Sequence, residues 1–235
     1  MRQAPLPVPL QQLLAKLRAQ GVADERVLQA LASTPREVFL PEGLRVRAWE
    51  DFAFDIGFGQ TISQPSVVAR MIALAQVGPE DRVLEIGTGS GFQTAVLARL
   101  CRFVFTVERI PQLAAQARFR LAQLGLRNVT VQVMDGSLGW RAHAPYDVIL
   151  VSAAAPTIPP PLLEQLAQGG RLVAPVGGLN QQELVRVTRG GEGFLSQSFG
   201  QASFVPLVGK EGFAASQGGR AGGSFGEQPR EAKGS

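Results

Sequence analysis

The sequence contains very little cysteine and histidine, with one residue of each, Cys101 and His143, among 235. A single cysteine excludes an internal disulfide and a cysteine-based zinc cluster, and a single histidine excludes most metal sites built from imidazoles. Long apolar runs are also absent: none reaches the roughly 18 residues of a bilayer-spanning helix, and prolines interrupt the first ten residues, where a secretory signal would be apolar. We therefore expect a cytoplasmic protein that binds neither a metal nor a membrane.

Clustered basic residues are lacking too, although the net charge is +4 and the sequence pI is about 10.0. The arginines are spread singly along the chain, without a run of five or six and without interleaved aromatic residues. This pattern is typical of solvated faces and ion pairs rather than of a nucleic-acid surface. Nucleic acid is therefore not an expected partner.

The N-terminal part of the chain predicts short helices followed by an irregular segment. Apolar residues recur at steps of three and four between residues 10 and 31, interrupted by Gly21, and Asp24 is a candidate N-cap of the second helix. Residues 35–66 carry proline, glycine and aromatic residues without a clear period, which favours a structured segment of the kind that often carries function. We treat residues 1–66 as an N-terminal helical and acceptor-side region.

Strands and helices alternate over residues 67–208, after a helix that begins near Gln64 and stops near Gly78. The strands are almost entirely apolar, which is typical of a parallel sheet covered on both faces. The predicted fold is therefore α/β, with a doubly wound, mostly parallel sheet and an N-terminal helical segment. From residue 209 onward glycine, serine and charge replace the apolar pattern, so we predict a disordered tail over 209–235.

A glycine-rich loop, VLEIGTGSGFQ, joins a predicted strand to a predicted helix, the context that gives such a loop meaning. Its glycines are Gly87, Gly89 and Gly91, and Phe92 stands where dinucleotide-binding loops have another glycine. No lysine or arginine lies within residues 83–98 to neutralise a phosphate, and the acidic Glu85 would repel one. S-adenosyl-L-methionine, which carries an ammonium and a sulfonium but no phosphate, fits this loop better than a nucleotide phosphate does.

Two further acids support the same cofactor. Glu108 ends the next predicted strand, where a carboxylate can accept hydrogen bonds from both ribose hydroxyls, and Asp135, followed by Gly136, ends the third and could accept from the adenine amino group. Taken singly, Glu85 could be a helix-dipole partner, Glu108 a surface charge and Asp135 a turn former. Three acids at the ends of three successive strands favour an S-adenosyl-L-methionine site.

The segment after the fourth strand of this series, VSAAAPTIPPP, bears on the methyl acceptor. It lacks the Asn/Asp-Pro-Pro-aromatic cluster expected for a base amine, the Pro-Cys nucleophile expected for cytosine and the carboxylates that would hold magnesium for a catechol. A small uncharged lining suits an acceptor that is already nucleophilic. A carboxylate, ionised at neutral pH with a pKa of about 4, needs no general base.

Several segments resemble the protein L-isoaspartate O-methyltransferase family, in order and with its natural spacing, from about Pro35 to Gly209. They include PREVFLP, DIGFGQTISQP, LEIGTGSGFQTAVLA, TVERI, VMDGSLGW, APYDVILVSAAAPTIP and SFVPLVG. The resemblance implies a class I S-adenosylmethionine-dependent methyltransferase that acts on isoaspartyl and D-aspartyl residues of damaged peptides and proteins. The methyl ester of the abnormal carboxylate then collapses to a succinimide, which can reopen to normal aspartate.

The same resemblance implies roles for individual residues. Ser63 of TISQP corresponds to the family's active-site serine; Glu85 and the three loop glycines correspond to contacts of the methionine end, Glu108 to a ribose contact, and Asp135 with Gly136 to adenine contacts. The full set of implied cofactor-binding residues is Thr61, Ile62, Ser63, Gln64, Glu85, Ile86, Gly87, Thr88, Gly89, Gly91, Glu108, Asp135 and Gly136. The sequence departs from the family at Phe92, where tyrosine is usual, and at Trp49, Phe52 and Phe54, which replace a pattern of tyrosine and leucine.

Other interpretations stay open at this stage. Ser63 could cap the helix that begins near Gln64, and its hydroxyl could also orient the acceptor carboxylate with help from the helix N-terminus. Cys101 and His143 are interpreted as structural. An RNA or small-molecule methyltransferase with the same cofactor half is an alternative enzyme, and a binding module that keeps the fold without catalysis is an alternative outside enzymes.

Overall fold

The N-terminal region folds as two amphipathic helices in the computed structural model, which describes residues 6–215. Helix α1 spans Val8–Ala19 and helix α2 spans Glu25–Ala32, and their leucines face the interior. The Asp24 side chain accepts a hydrogen bond from the Arg26 amide at 2.9 Å, so the predicted N-cap is confirmed. Both helices share one apolar core with the central sheet, which fixes them against it.

The irregular segment forms two 3₁₀ helices and a small hairpin. The 3₁₀ helices span Arg36–Phe39 and Glu42–Arg47, strand β1 spans Phe54–Gly57, and strand β2 spans Gln60–Ile62 and pairs with it in antiparallel fashion. Helix α3, Pro65–Ala75, follows directly. It ends before the predicted stop near Gly78, because Gln76 adopts the left-handed conformation that closes a helix.

A seven-stranded sheet forms the centre of the molecule. The strands are β3 (Arg82–Ile86), β4 (Phe103–Glu108), β5 (Val129–Val133), β6 (Tyr146–Val151), β7 (Leu166–Gly177), β8 (Gln182–Gly190) and β9 (Gly193–Ala202), with helices α4 (Phe92–Leu97), α5 (Pro111–Gln123) and α6 (Pro160–Glu164) between them. The order across the sheet is β5-β4-β3-β6-β7-β8-β9. Strands β3 to β7 are parallel to one another, β8 is antiparallel to β7, and β9 is antiparallel to β8. The predicted mostly parallel sheet is therefore confirmed.

Side chains that alternate along each strand enter two different cores. Val83 of β3 packs in the core that contains α1 to α3, whereas Leu84 packs in the core on the other face. This double burial is the physical reason for the nearly continuous apolar runs in the sequence. In the part of the chain that the structure describes, no helix combines the length and the apolar character that a membrane crossing requires.

The chain changes direction across the sheet between β3 and β6. From β3 it passes to β4 and β5 on one side, and it then returns to β6 on the other side of β3. At such a switch point the loops after the two central strands diverge and leave a crevice at their carboxyl ends. The loop after β3 is the glycine-rich one, so the topology sets the glycines at the crevice.

Two predicted boundaries differ in the structure. Within the alternating region the segment PPLLEQLAQGG predicts a helix over 160–170. In the structure this helix ends at Glu164, because Leu166 is fully buried and already pairs with Tyr146 in the sheet. The tail predicted to be disordered from 209 is packed at its start: the Phe213 amide donates to the Leu207 carbonyl at 2.7 Å, and the Phe213 side chain is buried. The part of this prediction that concerns residues 216–235 lies outside the described residues.

Candidate active site

A pocket opens at the carboxyl ends of the central strands. Three strand ends form its floor, with Gly87–Ser90 after β3, Val107–Arg109 at β4 and Ser152–Ala153 after β6. The hairpin residues Gln60–Ser63 and the late segment Val205–Val208 form two further sides. The pocket therefore joins segments that lie up to about 150 residues apart in the sequence, which is the behaviour expected of a crevice at a switch point.

Nine of the implied site residues line this pocket, and four do not. Those that line it are Thr61, Ile62, Ser63, Ile86, Gly87, Thr88, Gly89, Glu108 and Gly136, whereas Gln64, Glu85, Gly91 and Asp135 lie behind its surface. The pocket also contains Phe92, the departure from the family pattern, and residues that the sequence did not single out: Gln60, Val68, Ser90, Gln93, Val107, Arg109, Ser152, Ala153 and Val205–Val208. Of these, Ser152 carried a usable signal, because it directly follows a central strand.

The glycine loop is held against the neighbouring strand by its backbone. The amides of Gly87 and Thr88 donate to the Val107 carbonyl at 2.9 and 3.2 Å. Gly87 and Gly89 have φ angles of 91° and 53°, in the region that favours glycine. Gly91 does not face the pocket; it begins α4, and an added Cβ there would lie 3.3 Å from that of Ala117. The φ angle of 92° and the close approach of Ala117 both favour glycine at this position, and the implied contact of Gly91 with the cofactor stays a prediction.

Glu108 fixes the middle of this loop. Its Oε2 accepts a hydrogen bond from the Gly89 amide at 2.9 Å, and its Oε1 accepts one from the Ile110 amide at 2.9 Å. The side chain is 6% exposed and lines the pocket. A carboxylate has about four acceptor positions, so Glu108 keeps capacity for two more donors, such as a pair of hydroxyls.

Glu85 lies beneath the pocket rather than in it. Because Glu85 and Thr106 are register partners on β3 and β4, both side chains point to the same face of the sheet, under α4. The Glu85 carboxylate accepts from the hydroxyls of Thr94 and Thr106 and from Nε2 of Gln93, at 3.1 Å for the last. Glu85 therefore does not line the pocket itself and reaches its wall through Gln93, and its implied contact with the cofactor stays a prediction.

Burial of Glu85 gives a prediction for the pH dependence of stability. Burial raises the pKa of this carboxyl from 4.5 to about 7, although hydrogen bonds from Thr94, Thr106 and Gln93 oppose the rise. The folded state then binds more protons than the unfolded state between these two values, so the contribution of Glu85 to stability falls as the pH rises through them. We expect the free energy of unfolding of Glu85→Gln to increase relative to that of the wild type as the pH rises, by about 3 kcal/mol in total.

Urea unfolding of both proteins at a series of pH values measures this difference. The exposed Glu80 provides the matched control, because Glu80→Gln removes an acid that water already solvates. The free energies of unfolding of Glu85→Gln and the wild type should differ by an amount that changes with pH. If this difference stays constant from about pH 4 to about pH 8, the raised pKa does not belong to Glu85.

Asp135 is bound by the chain itself. Its Oδ1 accepts from the Ser137 amide at 2.9 Å and from the Ser137 hydroxyl at 2.7 Å, and its Oδ2 accepts from the Lys210 amide at 2.8 Å. The next residue, Gly136, reaches the pocket and has no room for a side chain, since an added Cβ would lie 2.5 Å from Cγ2 of Ile86. The segment that begins at Gly209 therefore orients Asp135 at this end of the site.

Ser63 lines the pocket but does not cap α3. The N-cap is Gln64, without a side-chain cap bond, and Pro65 has no amide hydrogen. The Ser66 amide donates to Oδ1 of Asp51 at 3.0 Å. The capping interpretation of Ser63 is therefore wrong. The expected help from the helix N-terminus stays a prediction, and the Ser66 amide is already bonded to Asp51.

Arg36 ties Ser63 to the segment that precedes the hairpin. It is fully buried, and its guanidinium donates to the carbonyls of Ala48, of Phe52 at 3.1 Å and of Ser63 at 3.0 Å. Burial lowers the pKa of Arg36 to about 10, so it stays protonated at neutral pH. The guanidinium carbon also lies 5.6 Å from the ring centroid of Phe92, which itself lines the pocket.

The aromatic departures from the family pattern have different environments. Phe92 is fully buried and packs edge-on against Trp49, with ring centroids 6.5 Å apart, and against Phe39. Phe54 is buried, whereas the Phe52 side chain is 59% exposed. Phe92 and Phe54 therefore keep their packing without a tyrosine hydroxyl.

His143 and Cys101, the residues with potential reactivity or metal affinity, lie outside the pocket. His143 stacks on Phe105 at 4.5 Å between ring centroids, and burial raises the pKa of the Cys101 thiol to about 12. Neither residue lines the pocket. Within residues 6–215, no group of three or more histidine, cysteine, aspartate or glutamate side chains is arranged to hold a metal ion.

Comparisons with known proteins give one consistent result. The family model for protein-L-isoaspartate(D-aspartate) O-methyltransferase matches residues 9–212. A solved protein-L-isoaspartate O-methyltransferase has 28% identity with a TM-score of 0.77, over 86% of this chain and 67% of its own. A putative protein-L-isoaspartate O-methyltransferase from Plasmodium falciparum, solved in complex with S-adenosyl-L-homocysteine, has 22% identity with a TM-score of 0.73, over 84% of this chain and 97% of its own.

Proposed function

Because the chain belongs to the protein-L-isoaspartate(D-aspartate) O-methyltransferase family, we propose that its pocket holds S-adenosyl-L-methionine beside the free carboxylate of an isoaspartyl residue. The protein is an S-adenosyl-L-methionine-dependent carboxyl methyltransferase whose reaction begins the repair of isoaspartyl residues. The observation that carries the residue-level proposal is the bond between the Gly89 amide and Glu108 at the pocket floor. It joins the glycine loop to an acid that retains free acceptor positions.

The residues at the strand ends fit this cofactor. Gly87 and Gly89 expose backbone rather than side chains to the pocket, and Gly136 brings its backbone to the pocket directly against Ile86 and Val107, where a side chain would not fit. We assign the ribose hydroxyls to Glu108, the adenine to Gly136 and the neighbouring Asp135, and the methionine end to the backbone of the loop. When bound, the cofactor supplies a methyl group on a positively charged sulfur.

The protein residues around the acceptor have a positioning role. Methyl transfer is an in-line displacement, so alignment of the carboxylate oxygen and exclusion of water contribute most of the rate. The acceptor is ionised at neutral pH and needs no base. We assign its alignment to the hydroxyl of Ser63, which Arg36 holds in place through the Ser63 carbonyl.

Methyl transfer to paired peptides tests this function. We expect base-labile label from radiolabelled S-adenosyl-L-methionine on a peptide with one isoaspartyl linkage, and none on the same peptide with a normal aspartyl linkage. Label on neither peptide, with cofactor binding intact, would contradict the proposed substrate and favour an RNA or small-molecule acceptor.

Ser63→Ala tests the assignment of the acceptor side. One hydrogen bond to a charged group contributes about 1.5 kcal/mol, so kcat/KM for the isoaspartyl peptide should fall about tenfold. Calorimetry should show unchanged affinity for S-adenosyl-L-homocysteine. The control is Ser196→Ala on β9, an exposed serine outside the pocket. Equal turnover by Ser63→Ala and the control would remove Ser63 from the acceptor site.

We also propose, from the composition of the sequence, that the protein works in the cytoplasm on isoaspartyl-containing peptides and proteins. Immunodetection in separated cell fractions tests the compartment. Recovery of the protein with an exported or membrane fraction would contradict it.

A further inference from the structure

Ser152 occupies a central position in the pocket. It follows β6 directly, and its amide donates to the carbonyl of Ile86 on β3 at 2.8 Å, so it lies at the switch point of the sheet. It also faces the first glycine of the loop, because an added Cβ at Gly87 would lie 3.6 Å from the Ser152 Cβ. The Ser152 side chain thus borders the space between the glycine loop and the acceptor side.

The side chain of Gln93 determines how the Ser152 hydroxyl can bond. The Gln93 Nε2 donates one hydrogen to Ser152 Oγ at 2.7 Å and the other to Glu85 Oε1 at 3.1 Å. The amide is assigned the orientation in which its nitrogen faces both Ser152 and Glu85, as the ionised carboxylate of Glu85 requires. Ser152 Oγ therefore accepts from Gln93, and its own hydrogen is left to donate. Among residues 6–215 no acceptor for that hydrogen is found, and Ser152 lines the pocket.

An acceptor carboxylate needs donors that the start of α3 does not supply. Pro65 has no amide hydrogen, the Ser66 amide is taken by Asp51, and the Val67 amide bonds to the Gln64 carbonyl. Side-chain donors of the pocket wall can take this role, and among them are the hydroxyls of Ser63, next to the hairpin, and of Ser152, directly after β6.

We propose that Ser152 donates a hydrogen bond to the acceptor carboxylate and that Gln93 is the positioning residue that aims it. This inference rests on the proposed function and adds a second carboxylate donor to that site. The bond goes to the oxygen that is not methylated, which leaves the lone pair of the other oxygen free to attack. Once the carboxylate has become an ester it loses its charge and accepts more weakly, which favours product release.

Four variants and two readouts test this arrangement. Ser152→Ala should lower kcat/KM for the isoaspartyl peptide about tenfold, mainly through a higher KM, and Ser152→Thr should restore it because the hydroxyl is retained. Gln93→Met, which keeps the bulk but removes the amide, should lower kcat/KM less than Ser152→Ala does. The double variant, Ser152→Ala with Gln93→Met, should have the same kcat/KM as Ser152→Ala alone, because Gln93 acts through Ser152.

Ser152 could contact the carboxylate of the acceptor or the methionine carboxylate of the cofactor. Calorimetry with S-adenosyl-L-homocysteine distinguishes these two contacts. The proposal requires unchanged affinity, since this ligand keeps the methionine carboxylate of the cofactor. Affinity that falls as far as kcat/KM would assign Ser152 to the cofactor and overturn the proposal. Turnover equal to that of the Ser196→Ala control, or a fully additive double variant, would overturn it too. Absence of wild-type turnover on the isoaspartyl peptide would instead count against the proposed function.

Discussion

Glu108→Ala is expected to weaken the binding of S-adenosyl-L-homocysteine about 100-fold. Glu108 has two acceptor positions left after its bonds to the Gly89 and Ile110 amides, and we assign these to the ribose hydroxyls. Each hydrogen bond to a charged group contributes about 1.5 kcal/mol, so losing two corresponds to roughly two orders of magnitude in Kd. Isothermal calorimetry measures this loss directly.

Two controls separate ribose recognition from general damage to the loop. Glu80→Ala removes an exposed acid outside the pocket and should leave Kd unchanged. An analogue of S-adenosyl-L-homocysteine without the ribose 2′-hydroxyl should bind the wild type about tenfold more weakly than the natural ligand does, and should show no such loss with Glu108→Ala. If the variant still discriminates against the analogue, another residue binds the ribose.

Arg36→Met is expected to lower the free energy of unfolding by about 3 kcal/mol or more. The substitution leaves the carbonyls of Ala48, Phe52 and Ser63 without their charged donor. A buried carbonyl that loses its hydrogen-bond partner destabilises the folded state, because water cannot replace the donor. Because Ser63 loses its anchor, kcat/KM for the isoaspartyl peptide should fall as well. Urea unfolding at neutral pH and the peptide assay measure the two effects.

The geometry of the guanidinium makes this prediction specific. Arg36→Lys retains the positive charge, but an ammonium is a single point and cannot replace a planar group that reaches three separate carbonyls, so most of the loss should remain. Arg127→Met, at an exposed position, is the matched control and should change stability by less than about 0.5 kcal/mol. Stability of Arg36→Met equal to that of this control would show that Arg36 does not hold the segment together.

The sequence predicted the sheet and the position of the cofactor half because both depend on local order along the chain. Apolar strands that alternate with helices form a parallel sheet, and residues that follow parallel strands meet at one edge of it. Gly87, Gly89, Glu108 and Gly136 therefore line the pocket as expected. The resemblance added Ser63, which lies in a hairpin with no periodic pattern of its own.

The tertiary structure alone decided how each acid is used. Glu85, Glu108 and Asp135 look equivalent in the sequence, since each ends a strand or nearly so. Glu85 lies one position inside the end of β3 and is covered by α4, whereas Glu108 is the last residue of β4, on the same face of the sheet, and borders the pocket. Asp135 is held by the amide of Lys210, 75 residues further along the chain. Strand order indicates which end of the sheet a side chain reaches, but not which partner it meets there.

The positions of the polar groups on the acceptor side of the pocket depend on long-range contacts even more than those of the three acids do. The sequence predicted helix α3 and a structured but irregular segment before it. It did not predict the hairpin, the bond between Asp51 and the first amide of that helix, or the bond between Arg36 and the carbonyl of Ser63. It also gave no sign that Gln93 would aim Ser152, since these residues lie on α4 and after β6. Local pattern determined the elements and the glycine loop, whereas packing between distant segments decided which polar groups are left free for a ligand, because each buried donor or acceptor takes whichever partner folding brings within reach.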